Sequence, residues 1–229
     1  MRYHKIIVLT VGLFSFSIAI ISLYRWQNQS SDINFKYRRD GMDNAQNRFK
    51  SGETVAIGAY FEKYSDSGFS PSTFTNSWSR FRGEFFSNIY ETSETIDHIW
   101  DSKGPPVLWE KKLGEGYAAP VIYKGRVYIL DYLEDTGADA LRCFSLSDGK
   151  ELWRRWYKVK VLRNHGISRT VPAVNDKFVI SIGPKGHIMC ISSLTGDLLW
   201  TRDMILEYGA VEPQWYMGQC PLLDGNDVV

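Results

Sequence analysis

The hydrophobic pattern divides the chain into three unlike stretches. Ile6 to Tyr24 (IIVLTVGLFSFSIAIISLY) runs nineteen residues without a charge. As a helix rising ~1.5 Å per residue, it nearly spans a hydrocarbon core of ~30 Å. Residues 1–5 carry Arg2, His4 and Lys5, and Tyr24, Arg25 and Trp26 come where interfacial aromatic and basic residues belong. A cleaved secretory signal would want a shorter apolar core and a small-x-small site, which Leu23-Tyr24-Arg25-Trp26 does not offer. Residues 6–24 therefore read as an uncleaved membrane anchor, with a cleaved signal as the alternative; either one exports the rest of the chain. Residues 25–77 are polar, weakly periodic and read as a linker. Their one apolar stretch, Thr54 to Phe61, suits a strand or a helical turn.

From Trp78 the pattern changes to short apolar runs separated by turn residues, and it repeats. Ala119-Pro120-Val121-Ile122, Val171-Pro172-Ala173-Val174 and Cys220-Pro221-Leu222-Leu223 each precede a turn and another apolar run. The prolines lie 52 and 49 residues apart (120, 172, 221). A second mark keeps step: Cys143 to Trp153 (CFSLSDGKELW) aligns with Cys190 to Trp200 (CISSLTGDLLW). Those tryptophans are 47 apart, and Trp109 lies 44 before the first (109, 153, 200). Two independent marks with one period indicate a repeat architecture. Each unit reads as four short strands: one after the proline, one after the next turn, one carrying the cysteine, and one ending in Leu-Trp. Gly149 and Gly196 supply the positive φ their turns need. Four antiparallel strands in this span make one blade of a β-propeller. Arg202 to Gly209 reads as a connecting loop. Trp109 to Leu113 reads as an outer strand that zips onto a final blade.

Composition agrees with strands. Thirteen Tyr, twelve Phe and eight Trp suit half-buried pleated surfaces. The net charge of +1 lacks the basic footprint of nucleic-acid binding. Three cysteines make neither a disulfide scaffold nor a CxxC pair.

Leu146 to Trp153 and Leu194 to Trp200 resemble the repeat of quinoprotein-dehydrogenase-like propellers, the pyrroloquinoline-quinone (PQQ) repeat. Trp78-Ser79-Arg80-Phe81-Arg82-Gly83 resembles the lead-in before the first blade of exported bacterial members, as does Gly104 to Trp109 together with Gly114 to Tyr117. The resemblance covers residues 78–229. It implies an eight-bladed all-β fold of four-stranded antiparallel blades, with about two blades and the start of a third present. It also implies that Trp109, Trp153 and Trp200 wedge the seams between blades, with Gly149, Gly196, Pro120, Pro172 and Pro221 as the other structural marks. The sequence ends at Asp227-Val228-Val229, inside a strand of the third unit, so it reads as an N-terminal piece of a longer propeller.

Candidate chemistry is sparse. Cys143 and Cys190 occupy one position in successive units and read as buried packing residues. The loop Arg163-Asn164-His165-Gly166-Ile167-Ser168-Arg169 precedes an inner strand. Arg163, His165 and Arg169 there could meet an anionic ligand; a solvated inter-blade loop is the plain alternative. Asp131, Glu134, Asp135 and Asp139 read as an acidic hairpin tip. Calcium or solvent could face it, in no EF-hand spacing. Asn28-Gln29-Ser30 fits a glycosylation acceptor. Quinoprotein alcohol dehydrogenases, by resemblance, hold the quinone with adjacent cysteines, an Asp base and a Glu/Asn/Asp calcium set. No adjacent cysteines occur here, and no cofactor is evident. The expectation is a membrane-tethered extracytoplasmic propeller that binds proteins or ligands on its faces without catalysis. The alternative is a PQQ- and calcium-dependent dehydrogenase. An outer-membrane assembly lipoprotein with this repeat is the precedent for the first, although its lipid-bearing cysteine has no counterpart here.

Overall fold

A computed structural model describes residues 2–29, 54–64, 76–93, 95, 97–161, 167–213, 215–225 and 227–229. The chain divides into two units, 1–46 and 47–229. The first contains helix α1 (Arg2–Gln29). Within it, Lys5–Gln27 is long and apolar enough to cross a membrane, with mean hydropathy 2.6. The glycosylation motif falls partly on Ser30, outside the described residues.

The second unit is built from antiparallel sheets. The first sheet holds β1 (Tyr60–Lys63), β2 (Val121–Tyr123), β3 (Arg126–Leu133), β4 (Ala138–Ser145) and β5 (Glu151–Lys158), in the order β1-β5-β4-β3-β2. The second holds β6 (Ala173–Val174), β7 (Phe178–Ile182), β8 (His187–Ser192) and β9 (Leu198–Asp203), in sequence order. A third begins with β10 (Leu223–Asp224) and β11 (Asp227–Val228). The strands β2–β5 and β6–β9 are the four-stranded blades that the repeat predicts. Each blade has a register irregularity at one place, after Cys143 and after Cys190. Cys143 pairs with Trp153 and Cys190 with Trp200, so the two sequence marks occupy the same site in each blade.

Alternation decides which way each side chain points. On β3 and β4, Tyr128, Leu130, Leu141 and Cys143 face the second blade and join a core with Val179, Met189 and Ile191. Val127, Ile129 and Phe144 face the opposite way and pack against Trp109 and Leu113. The second blade repeats this, with Ile180 and Cys190 directed toward Leu223 of the third.

Four local features differ from the sequence expectation. The fourth strands begin near their Leu-Trp pair instead of ending there: β5 and β9 continue past Trp153 and Trp200 to Lys158 and Asp203. The 152–157 and 198–203 runs continue their pairing with β4 and β8. Within Arg202 to Gly209 a short helix, α2 (Met204–Tyr208), forms because Asp203 caps the Ile205 and Leu206 amides and Gly209 ends it at φ 64°. Trp109 to Leu113 carries no ladder among the described residues; the nearest bridge joins Glu115 to Tyr132. Part of the 25–77 stretch is structural: β1 pairs with β5, Tyr60 opposite Trp156 and Lys63 opposite Trp153. Val55, Ile57 and Phe61 pack on the core.

The innermost strands β2, β6 and β10 are met on their free edges by Trp78, Ser79 and Arg80. Trp78 and Ile122 exchange both backbone hydrogen bonds, at 2.8 and 3.0 Å. The Val174 amide donates to the Ser79 carbonyl at 2.9 Å. The Arg80 guanidinium donates to the Leu223 carbonyl at 3.2 Å.

Candidate functional site

Trp109 and Trp153, two of the tryptophans expected at blade seams, each pack on a turn glycine. Trp109 lies on the β4–β5 turn, where a Cβ added to Gly149 would stand 2.6 Å from its ring. Trp153 lies on the β8–β9 turn in the same way, 2.8 Å from a Cβ at Gly196. Both glycines have positive φ, so the turn and the close approach both call for a residue without a side chain. The Trp109 indole donates to the Leu146 carbonyl at 2.7 Å, whereas Trp153 Nε1 is buried without an acceptor. Trp200 is half-buried against Cys190 and Leu223. Pro172 and Pro221 are buried and Pro120 is exposed, each just before an inner strand or its first turn.

Arg155 adds a second tie at the same seam. It is 9% exposed and donates at 2.8 Å to the carbonyls of Gly196 and Gly58. Its guanidinium stands 4.4 Å from the centre of the Phe61 ring. One planar cation thus joins three segments: β5, the second blade and the chain ahead of β1.

The densest polar cluster sits between the blades at the end where each outer strand finishes. Tyr132, Asp139 and Tyr157 are register partners across β3, β4 and β5. His187 and Asp203 are partners across β8 and β9. Alternation turns both rows into the seam. Ser168 donates to Asp139 Oδ1 at 2.7 Å and Tyr157 to Oδ2 at 3.2 Å. The Tyr157 and His187 rings meet edge to face, centres 5.2 Å apart. His187 Nε2 lies 3.7 Å from Asp203 Oδ2. Gly183 completes the fit, since a Cβ there would fall 2.0 Å from the Tyr157 hydroxyl.

Burial controls the charges in this row. It raises the Asp139 carboxyl to about 6, against the Ser168 and Tyr157 hydrogen bonds that favour the anion. It pushes the Tyr157 phenol well up, with the Asp139 charge adding to the effect. It lowers His187, and the Asp203 carboxylate only partly opposes this. His187 Nδ1 is buried without a hydrogen-bond partner.

The expected acidic tip is different. Asp131 and Asp139 are buried in β3 and β4, and only Glu134 and Asp135 stand at the exposed turn. Because the strands run on to Leu133 and from Ala138, both acids lie within the sheet, on opposite faces, and each finds donors there. Asp131 accepts from the Gly114 amide and from Arg142, both at 2.7 Å. Arg142 also forks onto Glu151 at 2.8 and 2.6 Å. Of the expected ligand loop, Arg163 and His165 lie outside the described residues. Arg169 is described, and donates to the Tyr216 carbonyl at 3.0 Å and to Met217 at 3.4 Å. It clamps the approach to the next blade. Cys143, Cys190 and Cys220 are free thiols, the first two buried.

PQQ with calcium does not fit the described residues. The buried carboxylates of Asp139 and Asp131 and the half-buried one of Glu151 are already bonded to Ser168, Tyr157 and Arg142. No three His, Cys, Asp or Glu side chains among the described residues converge to hold a metal. Sequence reasoning missed Tyr157, His187 and Asp203, because they are separated along the chain and carry no motif. The available signal was His187 at the head of an otherwise largely apolar strand, HIMCIS.

A family model described as outer membrane protein assembly factor BamB matches residues 93–219. No curated protein matches. Among solved structures, a europium-containing methanol dehydrogenase matches with 13% identity and a TM-score of 0.46. The match covers 68% of this chain and 27% of the enzyme, so the chain spans about a quarter of that protein's length.

Proposed function

The chain belongs to the family described as outer membrane protein assembly factor BamB, and on that premise we propose that it is a membrane-tethered PQQ-like propeller protein serving as a non-catalytic binding platform outside the cytoplasm. Helix α1 supplies the tether, and the blades supply faces for protein or ligand partners. The observation that carries this reading is how the polar side chains are engaged. Asp139, Arg142, Arg155 and Arg169 bond to neighbouring strands and blades. Such groups hold a scaffold rigid and present its loops. The family description, an outer membrane protein assembly factor, supports a role with protein partners.

The test is a titration of the full-length protein, in detergent, with PQQ and calcium, alongside dye-linked oxidation of alcohols and sugars. The platform reading expects no saturable quinone binding and no dye reduction. Saturable binding with turnover would replace it with a quinoprotein dehydrogenase.

A further inference from the structure

We infer that Trp78-Ser79-Arg80 is an axial strap: three consecutive residues that each fasten one blade at its innermost edge, so that three inner strands hold or release together. This is a conformational device within the propeller, separate from whatever its outer faces bind.

Strand register identifies the three contacts as equivalent. Ile122, Val174 and Leu223 each stand two residues after a repeat proline (120, 172, 221). Each is opposite the residue five positions later: Val127, Val179 and Val228. They are the same site in three successive blades. The strap meets them in chain order, with the Trp78 backbone on Ile122, the Ser79 carbonyl on Val174 and the Arg80 guanidinium on Leu223. Strands β2, β6 and β10 each pair on one side only, with β3, β7 and β11. Their other edges would be bare templates for a foreign strand. The strap occupies those edges, and Ser79 is 4% exposed within the contact. Its exit is also built. The Trp78 ring rests on Gly83, where a Cβ would stand 3.0 Å away and φ is +80°. Arg80 stacks on Phe86 at 5.4 Å. The turn therefore folds back on the strap and holds Trp78 and Arg80 in place.

Amide hydrogen exchange on the full-length protein tests this. The Ile122 and Val174 amides have the strap as acceptor. They should exchange at least ~100-fold slower than in an unstructured peptide. Exchange of both at the unstructured rate would overturn the strap. A Trp78→Pro variant, which removes the donor to Ile122, tests the coupling. Val174 should lose protection together with Ile122, while Ile180 and Cys190 in the second blade keep theirs. Val174 staying protected when Ile122 is released would show independent contacts and overturn the coupled device. If Trp78→Pro unfolds all blades, exchange in the unmodified protein at rising urea decides the matter: Ile122 and Val174 losing protection at one urea concentration supports the coupled strap, and losing it separately overturns it.

Discussion

Trp153 lies against Gly196 so closely that no side chain fits between them, which locks the outer strand of one blade to a turn of the next. Phe61 closes the same spot from the other side, 2.6 Å from a Cβ at Gly196. The glycine is at φ +79°, so an added methyl meets both conformational strain and overpacking.

Gly196→Ala should therefore destabilise the protein by about 2–4 kcal/mol, combining a left-handed backbone with a filled contact. Gly225→Ala is the control. It shares positive φ but has nothing within 4 Å of the new carbon, and should cost only ~1 kcal/mol. Denaturant midpoints of the two variants check the contrast. Equal losses would mean that the wedge contact contributes nothing.

Gly183 and Tyr157 should be coupled. Gly183→Ala forces the Tyr157 hydroxyl away from Asp139, while Tyr157→Phe removes the obstructing oxygen. The double variant should be more stable than the sum of the single losses by ~1 kcal/mol or more. A double-mutant cycle in urea measures this coupling, and additivity would refute the contact.

The buried row should make stability respond to acid in two opposing ways. Asp139 is raised to about 6 in the folded chain from 3.8. The folded state binds its proton more tightly, so the group's stabilisation is full below about pH 4 and is lost as pH rises through 6. His187 is lowered, so its contribution is present above pH 6.5 and is lost as pH falls below it. Asp139→Asn should remove the first slope, raising stability at pH 7 relative to pH 4 by on the order of 1–3 kcal/mol. His187→Gln should remove the second. Thermal or urea unfolding between pH 4 and 7.5 reads both slopes, and an unchanged profile in Asp139→Asn would refute the assignment.

Arg155→Ala should loosen the segment ahead of β1. Two carbonyls lose their donor and Phe61 loses its cation. Breaking charge-assisted bonds at a buried site should cost about 2–3 kcal/mol. Limited proteolysis should cut within residues 54–64 before any cut appears in β2–β5. Unchanged resistance there would show that β1 is held by pairing alone.

The blades were readable from sequence because their marks recur locally: a proline before the inner strand, a cysteine opposite a tryptophan, a glycine in the turn. Periodicity carries such features without any knowledge of the partner blade. It could not show Asp139 as a buried acid, because a charged residue near Glu134 and Asp135 looks like part of their exposed turn until β3 and β4 are seen to run on. Nor could it choose between strand and helical turn for Thr54 to Phe61, or pair β1 with β5. Tyr60 to Lys63 has no repeat counterpart, and its partner β5 lies about ninety residues later. Tyr157, His187 and Asp203 became a group only when two sheets faced each other. Arg169 illustrates the converse, a cation that looked available in sequence and is engaged by the carbonyls of Tyr216 and Met217.

The pairing of β1 with β5 also imposes an order of events on biosynthesis. Lys63 is made ninety residues before its partner Trp153. At ~5–20 residues per second it waits roughly 5–18 s before its partner strand exists. Through that interval it has no β5 to pair with. The first blade is thus completed last at its rim, by a strand translated before any other part of it. A nascent chain halted short of β5 should keep that strand accessible to a protease until Trp153 and its neighbours are added.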